Sequence, residues 1–152
     1  MDDICRIKHA YYFAYGSNME PNRLIKRIGK YQYHTASLAM LCGYKFIYNK
    51  KSTVDEFARA NLEEDKDSKV CGVCYEIDSD DLDRLDKYEG GYCREIKDIK
   101  LIDSGEKIKA AVYISSCIDN SLLPSDDYKN IIIKGAKFWN FEEAYILKYL
   151  DC

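Results

Sequence analysis

Hydrophobic and polar positions follow two different periods along this chain, and the switches between them mark out the elements. Tyr11 to Tyr15 is an unbroken aromatic and apolar run, which predicts a strand entering a core, and Gly16-Ser17-Asn18 ends it with corner residues. Lacking a Cβ, Gly16 can take positive φ or let another group approach its backbone closely. Pro21 in a first turn, an apolar stripe at Leu24, Ile25 and Ile28, and Gly29 as a stop predict a helix. Strand, corner and helix in that order leave backbone N–H groups facing out of the loop, a setting that suits a carboxylate or a developing oxyanion.

Beyond this unit the two-residue period returns. Tyr31 to Leu41 ends in a strand at Ala36 to Leu41, Gly43 punctuates, and Tyr44 to Tyr48 alternates as the next strand. Asn49 to Phe57 reads as a polar loop, Ala58 to Leu62 as a short strand, and Glu63 to Lys69 as a solvated turn of mixed charge. Val70 to Ile77 is apolar on both alternating sides, as in a central strand. Asp78-Ser79-Asp80-Asp81 starts a helix with a cap and carboxylates; Leu82, Leu85 and Tyr88 keep its spacing and Gly90-Gly91 stops it. Tyr92 to Ile102 and Lys107 to Ser115 form a hairpin through Asp103-Ser104-Gly105-Glu106. Ser116 to Leu123 is a loop, a helix runs from Pro124-Ser125 toward Gly135, and Asn140 to Leu150 is an amphipathic helix. The pattern predicts an α+β fold, a small mixed or antiparallel sheet curled into a barrel and flanked by helices, in a single domain of residues 1–152.

Composition narrows the function. The 14 Tyr are the one oddity of an otherwise ordinary globular composition, and tyrosines lining a pocket present an apolar face together with a hydroxyl. A formal charge of −3 and no basic stripe argue against nucleic acid as a partner. Met1 to Arg6 has no leader-like apolar run and no later run is long enough to span a bilayer, so a cytoplasmic protein with no membrane partner is expected. Seven scattered cysteines favour reduced thiols. The single CxxC, Cys71 to Cys74, lies in a strand where positions three apart face opposite ways, and neither His9 nor His34 is near it, so no metal site is expected.

Glu89 is the candidate catalyst. It ends the helix from Asp80, where the macrodipole disfavours negative charge, and a partly buried carboxylate there acquires the raised pKa of a general acid/base. A Ser-His-Asp or Cys-His hydrolase would need a histidine, and neither His9 nor His34 has a suggestive context.

Tyr12 to Met19, with its Tyr15-Gly16-Ser17-Asn18 loop, closely resembles the N-terminal signature of the γ-glutamylcyclotransferase family, in which that loop holds the substrate. Leu82 to Gly90 resembles the family's Leu-Asp-x-x-Glu-Gly helix end, Val112-Tyr113 its strand tyrosine, and Pro124 to Ile132 with Gly135-Ala136 its later helix. The resemblance implies a mixed barrel flanked by helices and intramolecular aminolysis of a γ-glutamyl compound to 5-oxoproline and a free amine, with no cofactor. It implies Glu89 as the proton carrier, Tyr15, Gly16, Ser17, Asn18 and Met19 as the substrate loop, and Tyr113 and Tyr128 as pocket walls or hydroxyl donors. Core packing is the competing role for Tyr113. The short Gly90-Gly91 turn departs from many members and bears on substrate preference, and with the charged stretch Asn49 to Lys69 it is the expected determinant of the leaving amine. The partner expected is a small γ-glutamyl molecule. A homodimer is compatible with the chain but not specified by it. The alternatives are a cyclotransferase restricted to γ-glutamyl amines or another γ-glutamyl metabolite, or a non-catalytic module that binds such ligands or 5-oxoproline.

Overall fold

The computed structural model describes residues 9–29 and 36–152; the N-terminal stretch, His34 and the lead-in from Tyr31 lie outside the described residues. Strands β1 (His9–Ala14), β2 (Ala36–Lys51), β3 (Ala58–Asp78), β4 (Cys93–Leu101) and β5 (Lys107–Ile114) close into a barrel in the order β1-β3-β2-β4-β5. Neighbours are antiparallel except β1 and β5, which run parallel and meet at Tyr12 and Ala111. The barrel is therefore mixed. Around it lie helices α1 (Pro21–Ile28), α2 (Ser79–Asp86), α3 (Asp126–Phe138) and α4 (Glu143–Tyr145), the last running on as a wider π turn through Ile146–Leu150.

β1 is bonded on both edges, and Tyr12, Phe13 and Ala14 are buried, which explains its unbroken apolar run. β2 and β3 are longer than the hydrophobic pattern predicts. The segments before and after Gly43 form one strand, as do those before and after the charged run, and the loop between β2 and β3 shrinks to residues 52–57. Pairing passes from Cys42 beside Lys69 to Tyr44 beside Glu64, so residues 65–68 bulge out of the ladder. Asp65 holds the bulge by accepting from the Asp67 N–H at 3.1 Å and the Ser68 hydroxyl at 2.9 Å. The charged run is thus a turn set inside a strand. Its composition decides exposure, while pairing with β2 carries the backbone through.

α1 is capped by Glu20, which accepts from the Arg23 N–H at 2.8 Å, and Gly29 closes it in the left-handed conformation. Pro21, Leu24 and Ile28 are buried, leaving Arg23 and Arg27, one turn apart, on another face. α3 clamps the corner after β1: a Cβ on Gly135 would lie 2.7 Å from the Glu20 nitrogen, and the Trp139 indole donates to the Met19 carbonyl at 2.8 Å.

Cys71 and Cys74 are free thiols, and burial pushes the Cys74 thiol up to about 12. Among the described residues no helix is long and apolar enough to cross a membrane, and no cluster of His, Cys, Asp or Glu could hold a metal ion.

Candidate active site

The corner after β1 is a single turn of 3-10 helix, Ser17–Met19, closed by the Met19 N–H on the Gly16 carbonyl and the Glu20 N–H on the Ser17 carbonyl, both at 3.1 Å. The N–H groups of Ser17 and Asn18 open this turn and are not consumed by it. Gly16, at φ −125°, does not use positive φ; its need is space, since a Cβ would lie 3.2 Å from the Ala60 Cβ.

Asn18 is buried and fully engaged. Its amide nitrogen donates to the Tyr12 hydroxyl at 2.8 Å and to Glu89 Oε1 at 3.2 Å, and its oxygen accepts from Arg27 Nη1 at 3.1 Å. Glu89 comes from the other side. α2 ends at Asp86, earlier than the helical spacing predicts, and tight turns carry the chain through Glu89 to Tyr92. The Glu89 side chain keeps 12% of its exposure, with Arg27 Nη1 at 3.7 Å. Burial raises the Glu89 pKa above the ordinary carboxylate value, against the opposing pull of Arg27, the Asn18 hydrogen bond, Lys50 and Arg23. The direction is that expected from the sequence. Of the two causes expected, burial is the one that dominates, and Glu89 lies beyond the helix end rather than on it.

Two adjoining cavities share Ser17, Glu89, Tyr92 and Tyr128. The inner one, about 30 Å³, is walled by Tyr12, Tyr15, Gly16, Asn18 and Tyr113 as well. The outer one, about 240 Å³, is rimmed by Arg23, Arg27, Lys50 and Arg59. Met19 lines neither cavity and packs in the core.

The tyrosines hold one another in place. Tyr15 donates to the Tyr113 carbonyl at 2.5 Å, and Tyr113 donates to Asp86 at 2.6 Å while its ring meets Tyr12 edge-on at 5.8 Å. The Tyr113 hydroxyl is therefore committed to α2, and its ring is what faces the cavity. The Tyr128 hydroxyl accepts from the Ala60 N–H at 3.0 Å, and Tyr92 donates to the Ala60 carbonyl at 2.5 Å. Burial raises the Tyr12, Tyr15 and Tyr92 phenols well above their usual range, so they act as neutral hydroxyls.

Sequence reasoning missed Tyr12 and Tyr92 as walls and Arg23 and Arg27 in the rim; Lys50 and Arg59 fall within the charged stretch Asn49 to Lys69 that it tied to the leaving amine, without being singled out there. Lys50, buried on β2, donates to the Gly90 carbonyl at 2.5 Å and lies 4.8 Å from the Tyr92 ring centroid. Gly91, at φ 84°, leaves it room, since a Cβ there would come 2.9 Å from Lys50 Nζ. Arg59 grips Asp55 with both nitrogens, at 2.8 and 3.1 Å, holding that carboxylate at about 2. The helical spacing of Arg23 and Arg27 beside the corner was a readable signal. Lys50 and Arg59 were legible only as members of a charged stretch, because strand pairing is what brings them together.

Comparison with known proteins gives a consistent picture. The family model described as gamma-glutamyl cyclotransferase, AIG2-like, matches residues 12–130. No curated protein matches the sequence significantly. Among solved structures, one described as a gamma-glutamyl cyclotransferase superposes with a TM-score of 0.80 at 24% identity, over 95% of this chain and 88% of its own. A Homo sapiens protein described as uncharacterized protein loc79017 gives 0.80 at 26% identity with the same coverage. YkqA from Bacillus subtilis gives 0.81 at 26% identity over 97% of this chain and 55% of that protein.

Proposed function

Because the chain belongs to the gamma-glutamyl cyclotransferase, AIG2-like family, we propose that it releases 5-oxoproline from γ-glutamyl amino acids or γ-glutamyl amines by intramolecular aminolysis. The observation that carries this reading is the Glu89 carboxylate, largely buried where the two cavities meet and hydrogen-bonded by Asn18 of the corner after β1. The inner cavity has room for two or three water-sized groups, each needing roughly 10–15 Å³. It takes the head of the glutamyl unit, near the open N–H groups of Ser17 and Asn18, and the scissile amide lies at Glu89.

In this mechanism the α-ammonium gives a proton to Glu89, and the freed nitrogen lone pair attacks the γ-carbonyl carbon. The tetrahedral intermediate collapses as the bond from that carbon to the leaving nitrogen breaks. The ammonium loses two protons in becoming the lactam N–H, and the leaving nitrogen gains two in becoming an ammonium, so Glu89 only carries protons across. A carboxylate with a raised pKa suits that task, worth roughly 10²–10⁴ in rate. Amine and carbonyl already belong to one molecule, so the protein's share of orientation is to freeze the glutamyl torsions in an attack-ready ring. The chemistry is that of a lyase without a cofactor. Exposed free thiols at Cys42, Cys93, Cys117 and Cys152 suit the cytoplasmic setting of this proposal.

The test is 5-oxoproline release from a panel of γ-glutamyl amino acids and γ-glutamyl amines, with Glu89→Gln alongside. The wild type releases product from at least one compound and the variant loses at least about 10² in rate while binding is kept. Turnover in Glu89→Gln equal to wild type removes the assignment.

A further inference from the structure

We infer that the outer cavity is a binding site for a carboxylate on the leaving half of the substrate, with Arg23 as its principal contact; this rests on the cyclotransferase reading above. If the glutamyl head occupies the inner cavity and the scissile amide lies at Glu89, whatever departs extends into the space rimmed by Arg23, Arg27, Lys50 and Arg59. These cations are arranged at a cost to the free protein. Arg23 and Arg27 are like charges one helical turn apart, and Lys50 and Arg59 are direct cross-strand partners. Both arrangements are repulsive by ordinary helix and sheet rules.

Internal carboxylates answer only part of that charge. Arg27 faces Glu89 and Arg59 grips Asp55. Among the described residues neither Arg23 nor Lys50 has a carboxylate partner, and Arg23 Nε is buried with no hydrogen-bond partner at all. That Nε is closed off from the cavity, so the donors within reach of a ligand are those of the two Nη atoms, for which the described residues supply no acceptor. Lys50 is fixed on Gly90, so Arg23 is the group with donors to give. A planar fork of N–H donors fits a carboxylate in two-point contact. The leaving halves favoured are amino acids or peptides with a free carboxylate, over neutral alkylamines and polyamines.

The experiment measures kcat/KM for 5-oxoproline release from γ-glutamyl-alanine, γ-glutamyl-alaninamide, γ-glutamyl ethylamide and γ-glutamyl putrescine, with wild type, Arg23→Met and Arg23→Lys. The wild type favours γ-glutamyl-alanine over the amide by roughly ten- to hundredfold, a preference that shrinks with added salt. Arg23→Met brings that ratio near one, and Arg23→Lys restores part of it. A ratio within one protein is insensitive to how much of each variant folds. If Arg23→Met lowers all four substrates equally, Arg23 serves the glutamyl unit's own carboxylate and the inference fails. Equal or better use of the putrescine compound by wild type also overturns it while leaving the cyclotransferase reading intact. No 5-oxoproline from any compound removes both.

Discussion

The inner and outer cavities share four residues and follow opposite rules. In the inner cavity nearly every polar group is satisfied by the protein: Tyr15 on the Tyr113 carbonyl, Asn18 between Tyr12 and Glu89, Tyr113 on Asp86. Such a network is rigid and already in place before a ligand arrives. The outer cavity is a rim of mutually repelling cations whose charge is only partly answered. One region has its geometry built in; the other holds unfavourable interactions that a bound anion relieves. A site that must orient reacting atoms within fractions of an ångström needs the first. A region that chooses among leaving groups can be built by the second.

The sharpest way to break this contrast is through the inner network. Replacing Asn18 with Leu removes the Glu89 hydrogen bond and leaves the Tyr12 hydroxyl without its donor. The expected result is a fall in kcat/KM of roughly ten- to hundredfold, the scale of a hydrogen bond to a charged group. Because that bond favours the ionised carboxylate, its loss also moves the acid limb of the pH–rate profile to higher pH. A profile unmoved in this variant would detach Asn18 from Glu89.

A smaller effect separates chemistry from stability. Burial raises the folded-state pKa of Glu89 above its ordinary value of 4.5, so the native state binds the proton more tightly than the unfolded chain. Ionised Glu89 therefore destabilises the fold, fully above its native pKa and no longer once the pH falls to about 4.5. Glu89→Gln is expected to melt higher than wild type near pH 7, by roughly 2–4 °C per kcal/mol relieved, with the gap closing toward pH 4.5. A gap that widens on acidification would reverse the sign of the burial argument.

The smallest effect belongs to the rim. Arg23→Met removes one of two like charges a turn apart on α1, which should raise the Tm of the ligand-free protein by about 1 °C at low salt and by less at high salt. Destabilisation by the same change would mean that Arg23 is answered within the protein.

The legibility of the two regions followed the same division. Tyr15 to Asn18 and Glu89 are short, local strings whose geometry is set within a turn or two, so their place could be read before any fold was known. The rim as a unit could not be, because α1, β2 and β3 each contribute part of it and the Lys50–Arg59 pairing follows a register shift at Tyr48/Lys50. The barrel was legible from strand periodicity, yet the lengths of β2 and β3 were not. Residues 63–69 carry the composition of a loop; pairing to β2 keeps Glu63, Glu64 and Lys69 in the ladder while residues 65–68 bulge out of it. The helix end before Glu89 was misplaced for a related reason: Tyr88 continues the helical spacing but is exposed, so no burial holds that turn in place.

The parallel closure of β1 on β5 also has a consequence for synthesis of the protein. β1 is the first of the five strands to leave the ribosome, but its partners are residues 73–78 of β3 and Ala111 of β5, and the Tyr15 hydroxyl reaches the Tyr113 carbonyl across 98 residues. At translation rates of about 5–20 residues per second, the aromatic segment Tyr11 to Tyr15 waits roughly 5–20 s for its final neighbour. Until residues 73–78 follow it has no edge partner, and until Ala111 follows it has only one, so a hydrophobic strand stands open for a chaperone to cover.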